Sequence, residues 1–504
     1  MKKISTLKEL LYGAAEQFGT EPFLRELDGK AFRDTSYSEL KQRCDAVGAW
    51  IEERFPEGVH AAVIGATSAE YLTAWFGIQV CGSVSVPLDN ANNAEKIADE
   101  INRSDSELVF VDDRHAADLE KLREMCPQVQ AFVHLLHPAE GMLHLGEIVL
   151  QYAGKQPVKS PKPEDLSAIL FTSGTTGRSK GVMLRHSNFA DNTTCEPDQG
   201  YHGWKRLTVL PIHHVFCFTC DILISMWYGR IVCVNDSLMH VMRNLKKFQP
   251  DDATFVPMIA ASILNRLEQM TEKNPDRIAI AKSVFGEQFK VIYSGGAYLS
   301  PEITAGYRRF GIDITQGYGM TECAPRICTG VPNCPYPESV GRVVPGCKVV
   351  IADGEIRVKS PSVMMGYYHD PEETAAALTP DGWLCTGDLG YEKDGWLYIT
   401  GRKKNLIILA NGENVSPEEL ENQFAFFRPI KEIVVYESQQ AITAEIYPDP
   451  EYVSEDICAE IQAKIDAVNE TVPPAKRIVR VVYRETEFEK TASKKIIRSS
   501  VCRK

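Results

Sequence analysis

The sequence predicts an α/β fold in which a large N-terminal domain, with mainly parallel sheets and helices, precedes a small α+β C-terminal domain. Three observations predict it. Short apolar runs alternate with helical patterns in the first part of the chain. A strand-like run that ends in glycines recurs at residues 291–300. The character of the sequence then changes near residue 400.

The apolar runs have the length and composition of buried strands. They are "VHAAVIGATS" (59–68), "SVSVPLD" (83–89) and "ELVFVDD" (107–113), and helical patterns such as "AEYLTAWFGIQVCG" lie between them. This alternation is typical of βαβ units and parallel sheets. Loops at the carboxyl ends of such strands, including "VIYSGGAYLS", are where open α/β sheets bind ligands.

The C-terminal part begins after the basic stretch Arg402–Lys404. Ser416 can cap a helix, Pro417 suits its first position, and Glu419 completes a capping box. Two strand-like runs and a helical run follow. We therefore expect an N-terminal domain over residues 1–401 and a mobile domain over residues 402–504, joined by an exposed basic junction.

Composition narrows the classes of function. The chain has 504 residues, 44% of them hydrophobic and 24% charged, and a formal net charge of −13. That charge argues against non-specific nucleic-acid binding. No apolar run is long enough for a membrane span, and the 14 cysteines are scattered singly, so we expect buried thiols in a reducing cytoplasm.

One polar stretch, "FTSGTTGRSKGVMLRHSN" (171–188), predicts a polyanion site. Its glycines allow close backbone approach, and its hydroxyls and Lys180 are donors for phosphates. The spacing differs from the P-loop of NTPases, in which Gly-Lys-Ser/Thr opens a helix. Here the following residues read as a strand, with a helix starting after Ser187 as its N-cap.

The whole chain resembles the adenylate-forming superfamily of acyl-CoA synthetases, luciferases and adenylation domains, and is most similar to bacterial fatty acyl-CoA synthetases. The resemblance rests on seven motifs in the family's order: "FTSGTTGRSKGVMLRHSN", "LPIHH", "SGGAYLS", "QGYGMTEC", "TGDLG", "GRKKNLIILANGENVSPEELE" and "KTASKKIIR". It implies ATP-dependent activation of a carboxylic acid to acyl-AMP, followed by transfer to a pantetheine thiol.

The resemblance also implies the nucleotide-binding residues. The phosphates of ATP are expected to be bound by Thr172, Ser173, Gly174, Thr175, Thr176 and Lys180. From "QGYGMTEC", Tyr318 and Gly319 are implied at the adenine, Thr321 at the α-phosphate and Glu322 as the ligand of Mg²⁺. The remaining implied positions are Asp388 and Arg402 at the ribose and Gly295 and Gly296 beside the adenine and acyl pocket.

Two further catalytic residues follow from the same resemblance. His214 of "LPIHH" is implied near the acyl pocket and the path of the thiol, while neighbouring strand residues such as His213 should face the opposite way. Lys495 takes the family's C-terminal lysine position, although Glu489 and Lys494 replace its usual proline and glycine. Lys404 takes the pivot position between the domains.

The leading hypothesis is an acyl-CoA synthetase that uses ATP, Mg²⁺ and CoA on a medium- or long-chain fatty acid. One alternative is loading of an acyl or aryl acid onto the phosphopantetheine of an acyl carrier protein. Another is a nucleotide-binding protein without turnover. Asp221 raises a separate question, because an aspartate that faced the pocket could bind an ammonium group of an amino acid.

Overall fold

The computed structural model describes residues 2–172, 179–196, 200–409, 414–439, 441–490 and 496–501. Two large sheets and a smaller antiparallel sheet make up the part before residue 402, and two small sheets follow it. This arrangement is the α/β fold with a smaller α+β C-terminal part that the sequence predicts.

The first large sheet has eight strands and carries the runs predicted from apolar pattern. In spatial order its strands are Gly366–Tyr367, Lys180–Arg185, Leu166–Thr172, Val84–Leu88, His60–Ile64, Leu108–Val111, Ala131–His134 and Leu143–His144. The pairings from Leu166–Thr172 to the last strand are parallel, and the first two are antiparallel.

The second large sheet has nine strands with a parallel centre. In spatial order they are Arg342–Val343, Arg326–Thr329, Asp313–Gly319, Val291–Ser294, Asp252–Phe255, Lys205–Thr208, Ile231–Val234, Pro22–Asp28 and Ala31–Ser36. Antiparallel pairs form both edges. Parallel strands need crossover connections, which is why helices alternate with them along the chain.

The other strands form antiparallel or mixed sheets. The four-stranded sheet consists of Lys348–Ala352, Glu355–Lys359, Leu384–Lys393 and Trp396–Arg402. Beyond it lie the pair Ile407–Ile408 and Asn414–Val415, and a three-stranded sheet of Ile430–Ser438, Ala441–Pro448 and Arg480–Tyr483. Side chains from Ile407 to Ile478 form a separate hydrophobic cluster in this last part.

Sixteen α-helices occur in the described ranges. They are Leu7–Phe18, Tyr37–Arg54, Ala69–Val80, Ala94–Arg103, Asp113–Ala116, Leu119–Met125, Leu145–Gln151, His186–Thr194, Ile224–Tyr228, Val241–Phe248, Pro257–Thr271, Arg277–Phe285, Pro301–Arg309, Pro371–Ala377, Pro417–Glu421 and Ile457–Thr471. A π-helix spans Phe216–Leu223, and 3₁₀ turns span Leu238–His240, Thr321–Cys323, Lys403–Asn405, Asn422–Phe424, Pro474–Lys476 and Arg498–Ser500.

Helix starts follow local capping, with two departures from the sequence expectation. Ser416 accepts from the backbone N–H of Glu419 as predicted, but the Glu419 carboxylate binds Lys476 instead of closing the capping box. The expected cap at Ser187 is wrong, because the helix His186–Thr194 has Arg185 as its N-cap, two residues earlier. The backbone N–H of Arg185 donates to the Asn188 side chain (2.8 Å), which fixes the start there.

Two expectations about composition can be compared with the structure. The cysteines of the described residues are free thiols and most are buried, including the Cys217–Cys220 pair. In the part of the chain that the structure describes, no helix combines the length and the apolar character needed to cross a bilayer.

Candidate active site

The glycine-rich segment joins two antiparallel strands, in keeping with the strand predicted after it. Thr172, the last residue of one strand, pairs directly with Lys180, the first of the next. Ser173, Gly174, Thr175 and Thr176, the other implied phosphate ligands of this segment, lie outside the described residues.

The far end of this segment is bound by side chains that the sequence analysis did not identify. Ser179 is buried; its hydroxyl donates to Glu100 (2.9 Å) and accepts from Lys96 (2.7 Å), and Arg103 donates to its carbonyl (2.7 Å). Because these three residues lie on one helix, Ala94–Arg103, that helix fixes where the loop returns to the sheet. Nothing in the amphipathic pattern of the helix distinguishes them from surface charges.

Asp388 contacts two other implied nucleotide-binding residues, Tyr318 and Arg402. Its carboxylate accepts from the Tyr318 hydroxyl (2.6 Å) and forms an ion pair with Arg402 Nε (2.6 Å), while its side chain is 5% exposed. Antiparallel pairing places Asp388 opposite Arg402. Burial and the adjacent Asp388 hold the pKa of Tyr318 well above its usual range, so its hydroxyl is a donor at neutral pH. The charge-assisted bonds fix the carboxylate.

Glu322 lies in a second polar cluster on the same loop. The 3₁₀ turn Thr321–Cys323 buries its carboxylate, which accepts from the Tyr367 hydroxyl (2.8 Å). Lys180 Nζ lies over the Tyr367 ring, 4.9 Å from its centroid, and pairs with the carboxylate of Glu373. Strand pairing of residues 366–367 with the strand after the glycine-rich segment brings these groups together.

Sequence reasoning missed Tyr367 and Glu373. Both come from "GYYHDPEET", where the helix Pro371–Ala377 starts at its Asp370 cap. The pattern reads as a capped surface helix. Their proximity to Lys180 arises only from long-range pairing, because Lys180 and Glu373 are 193 positions apart in the sequence.

At three of the implied glycines a larger residue would either clash with its neighbours or adopt a strained backbone conformation. A Cβ on Gly319 would be 2.1 Å from the carbonyl oxygen of Pro325, and one on Gly295 would be 3.0 Å from the Phe216 ring. Gly296 has φ +82°, a left-handed conformation that favours glycine. These positions allow the chain between residues 317 and 325 to pass close to the end of the neighbouring strand.

The histidine pair differs from the sequence expectation. His213 and His214 lie in a turn, not on a strand, and their rings approach to 4.3 Å between centroids. His213 is mostly buried, and burial together with His214 holds the pKa of its imidazole well below the usual range. His214 is exposed at the start of the segment that leads into the π-helix. The two rings therefore share one side of the turn.

Asp221 does not face an open pocket as the amino-acid alternative requires. It is fully buried in the π-helix and accepts from Thr208 (2.9 Å) and Thr254 (2.5 Å), with Arg206 Nη1 3.6 Å away. Its carboxylate oxygens are thus engaged by protein donors. This arrangement removes the reason to consider an ammonium ligand at Asp221.

Another polar group, away from these clusters, has the residue types of a metal site. Among the described residues, Asp113, His134 and His137 form the one group of three potential ligands. His134 Nδ1 accepts two backbone bonds, from residues 136 and 137 (both 3.2 Å), so its proton is on Nε2, 3.2 Å from Asp113. Because a metal needs the lone pair at Nε2, we interpret this group as a hydrogen-bonded cluster.

Lys495 and its neighbours 491–494 lie outside the described residues. Nearby, Arg498 binds the carboxylate of Glu421, and Lys490 binds that of Glu432. Burial raises the pKa of Glu421 to about 7, with Arg498 opposing that effect. These contacts attach the C-terminal segment to the small domain on both sides of the lysine motif.

Comparison with known families identifies the class of enzyme to which this fold belongs. A family described as AMP-binding enzyme matches residues 12–368, and the AMP-binding enzyme C-terminal domain matches residues 404–504. The chain therefore belongs to the AMP-binding enzyme family. It is an enzyme of the acid–thiol ligase class, as are the relatives that it resembles.

Those relatives share about a quarter of their residues with this chain. A long-chain-fatty-acid–CoA ligase of Mycobacterium tuberculosis is 27% identical, with 89% of this chain and 86% of the relative covered. Human long-chain-fatty-acid–CoA ligase 1 is 27% identical, with 82% and 70% covered.

Solved structures show the same fold at lower identity. An anthranilate CoA ligase in complex with anthranoyl-AMP superimposes with a TM-score of 0.86 at 19% identity, covering 99% of this chain and 97% of the other. A fatty acyl CoA synthetase of Mycobacterium tuberculosis gives 0.74 at 21% identity, covering 99% and 98%. At sequence identities this low, the structural similarity shows a shared fold and nothing further.

Proposed function

We propose that this enzyme activates an apolar carboxylic acid, such as a fatty acid, with ATP and transfers the acyl group to the thiol of CoA. The acid's carboxylate attacks the α-phosphorus of ATP, giving acyl-AMP and pyrophosphate. The thiolate then attacks the acyl carbon and AMP leaves. The observation that carries the proposal is the buried Asp388, fixed by Tyr318 and Arg402 at the predicted ribose position.

Asp388 and its partners are assigned to the nucleoside. A carboxylate accepts hydrogen bonds from hydroxyl groups as well as from cations, which suits Asp388 to the hydroxyls of a ribose. Arg402, 44% exposed along its side chain, lies at the edge of this site. Tyr318 would stack on adenine with its hydroxyl anchored to Asp388, which fixes the plane of its ring.

The triphosphate is assigned to the glycine-rich segment. Thr172 and Lys180 lie at its two ends, and Ser173, Gly174, Thr175 and Thr176 lie between them. Lys180 is bound to Glu373 in the structure, so the phosphates of ATP must compete with that carboxylate for the ammonium group. The carboxylate of Glu373 compensates the positive charge of Lys180 before the nucleotide binds.

Glu322 is assigned to Mg²⁺, beside Thr321 at the α-phosphate. Its carboxylate is a hard oxygen donor, and a single protein carboxylate together with substrate phosphates is a usual Mg²⁺ environment. The Tyr367 hydroxyl occupies one lone pair of Oε1 and orients the group. When bound, the ion would offset the negative charge of the phosphates.

The remaining assignments concern the acyl carboxylate and the thiol. Lys495 is assigned to the carboxylate and α-phosphate during adenylation, and His214 to the path of the thiol. Gly295 and Gly296 would leave room for adenine and the acyl group. The two halves of the reaction place different demands on the small domain, and a hinge at Lys404 would let it rotate between them.

The test is acid-dependent pyrophosphate release, followed by product analysis with CoA as the acceptor. We expect release of pyrophosphate only with an acid present, and acyl-CoA formation only when CoA is added. Acyl transfer to the phosphopantetheine of a carrier protein, with none to CoA, would replace the acceptor in the proposal. An absence of pyrophosphate release with every acid would contradict the proposed reaction.

A further inference from the structure

The π-helix Phe216–Leu223 lies against the predicted acyl site. Phe216, its first residue, would be 3.0 Å from a Cβ on Gly295, at the carboxyl end of a central strand. Thr219, in its middle, donates to the carbonyl of Ala324 (3.0 Å), two residues after Glu322. His214 comes just before it in sequence. The helix thus borders the space in which the reacting carboxylate would lie, and π-helices are frequent at functional sites.

Behind this helix, the sheet presents charged side chains instead of an apolar surface. Arg206 binds Asp252 through two bonds, Nε to Oδ1 (2.6 Å) and Nη2 to Oδ2 (2.7 Å). Arg230 Nη1 donates to the same Asp252 (3.1 Å), and Asp221 reaches into the group from the helix. We call Arg206, Asp221, Arg230 and Asp252 the charged floor; their side chains are 0–5% exposed.

The charged floor binds the helix to the sheet and fills the space between them. Arg206 Nη1 donates to the carbonyl of Cys220 (2.7 Å), a helix residue. Asp221 accepts from threonines on two neighbouring strands, Thr208 and Thr254. Because two positive and two negative groups are buried and mutually paired, moving one would leave its partner buried and unpaired, which is strongly unfavourable.

A long hydrocarbon chain needs a channel that can admit it beyond the carboxylate site. We infer that the charged floor closes the acyl pocket behind the π-helix, so that the enzyme's substrate is a compact acid, a short-chain aliphatic or single-ring acid. The inference rests on the proposed acid activation. An alkyl chain cannot displace the paired charges, because hydrocarbon offers no hydrogen bonds in return. Phe216 at the mouth of this space gives an apolar contact for a small acyl group.

The test compares adenylation of butyrate, hexanoate, benzoate, dodecanoate and hexadecanoate by the wild-type enzyme. We expect kcat/KM for the best compact acid to exceed that for either long acid by about 100-fold or more, since a pocket wall discriminates each added methylene. Preference for dodecanoate or hexadecanoate would overturn the inference while leaving the proposed function intact. If none of these acids supports activity, both the inference and the proposed function are contradicted.

Two variants then test whether the charged floor sets this preference. Asp221→Ala removes the carboxylate that reaches from the helix and leaves the Arg206–Asp252 and Arg230–Asp252 bonds in place. We expect it to raise kcat/KM for hexanoate relative to butyrate by about tenfold. Asp221→Asn keeps the volume and should keep the wild-type order. If Asp221→Ala is folded by circular dichroism and keeps that order, Asp221 does not limit the pocket; if it does not fold, the wild-type comparison decides.

Discussion

At the scale of single residues, the site consists of carboxylates held by aromatic hydroxyls and cations. Tyr318 donates to Asp388, and Tyr367 donates to Glu322. In each pair a buried phenol keeps its proton because burial and the adjacent carboxylate raise its pKa. Each carboxylate is therefore fixed in orientation by a phenol that stays a donor, and a fixed orientation is what nucleotide and metal binding need.

Glu322→Gln should cripple adenylation without changing the fold. The amide keeps the volume and can still accept from Tyr367, but a neutral oxygen is a poorer Mg²⁺ ligand. We expect pyrophosphate exchange at limiting Mg²⁺ to fall by about 100-fold and to recover in part at high Mg²⁺. Near-normal exchange at limiting Mg²⁺ would contradict the assignment. Glu392→Gln, at an exposed strand position, is the control.

Asp221 makes stability depend on pH. Burial raises its pKa to about 6, an effect that Arg206 and the threonine hydroxyls oppose. Between pH 4 and 6 the folded state keeps a proton that the unfolded state has lost, so this group's contribution to stability falls as pH rises through that window. Asp221→Asn lacks this change.

The corresponding measurement is the thermal midpoint of both proteins from pH 4.5 to 7. The midpoint of Asp221→Asn relative to wild type should rise by about 2–5 °C across this range. A difference that is independent of pH would show that Asp221 keeps an ordinary pKa in the folded enzyme.

At the scale of elements, the loop from Gly317 to Pro325 positions both polar clusters. Tyr318 is the penultimate residue of the strand Asp313–Gly319, and Glu322 lies in the turn that follows. The chain then doubles back to pair Tyr318 with Cys328 in an antiparallel edge. Gly319 is needed at the fold of this loop because backbone occupies the space where a Cβ would be.

Gly319→Ala should therefore displace the loop that carries Tyr318 and Glu322. The clash is with the carbonyl of Pro325 at 2.1 Å, which is backbone and cannot move like a side chain. We expect adenylation to fall by about 100-fold or more, with a lower affinity for ATP in calorimetry. Val331→Ala, on an exposed loop nearby, should have wild-type values. Wild-type affinity for ATP in Gly319→Ala would show that the loop tolerates the displacement.

At the scale of the whole molecule, the junction after residue 401 is bound to both parts. Lys403 Nζ pairs with Glu355 (3.1 Å) of the four-stranded sheet, while Asn405 binds Glu418 of the small domain. Lys404 lies between them, exposed, in a 3₁₀ turn. A change in its backbone torsions would rotate the small domain relative to the large one, which is the hinge that the sequence predicts.

Lys404→Pro should slow at least one half-reaction, by about tenfold or more, because proline fixes φ and restricts the residue before it. Pyrophosphate release would measure the first half-reaction, and acyl-CoA formation from supplied acyl-AMP the second. Lys404→Ala, which keeps torsional freedom, is the matched control. Equal rates for all three proteins in both assays would remove the hinge role.

Lys495→Ala and Lys494→Ala separate the two half-reactions at the C-terminal motif. Lys495→Ala should lower acyl-AMP formation by about 100-fold, the scale of losing one positioned donor, because the lysine is assigned to charge that develops in that step. Thioester formation from supplied acyl-AMP should fall far less. Lys494→Ala should change neither step greatly. The reverse pattern would show that the register of the motif is displaced by one residue.

The sequence by itself determined the family and the strand-and-helix alternation, and it predicts the nucleotide-binding positions. These features depend on local pattern: apolar runs specify strands, a Ser-Pro start specifies the helix at Pro417, and the spacing of glycines and hydroxyls predicts a phosphate loop. The residues that cause each of these features are close together in the sequence, so the sequence alone reveals them.

Only the tertiary structure decided which charges meet. Asp388 contacts Tyr318, 70 positions away, although the two residues lie in different sheets. Lys180 contacts Glu373, 193 positions away, because residues 366–367 pair with the strand that Lys180 begins. The charged floor likewise joins a π-helix to two strands of one sheet and to Arg230, just before a third. The sequence left open that Asp221 binds the ammonium group of an amino acid. In the structure its carboxylate instead accepts hydrogen bonds from Thr208 and Thr254 in the protein's interior. Long-range pairing has no local signature, so the sequence alone could not show which of these charges lie together.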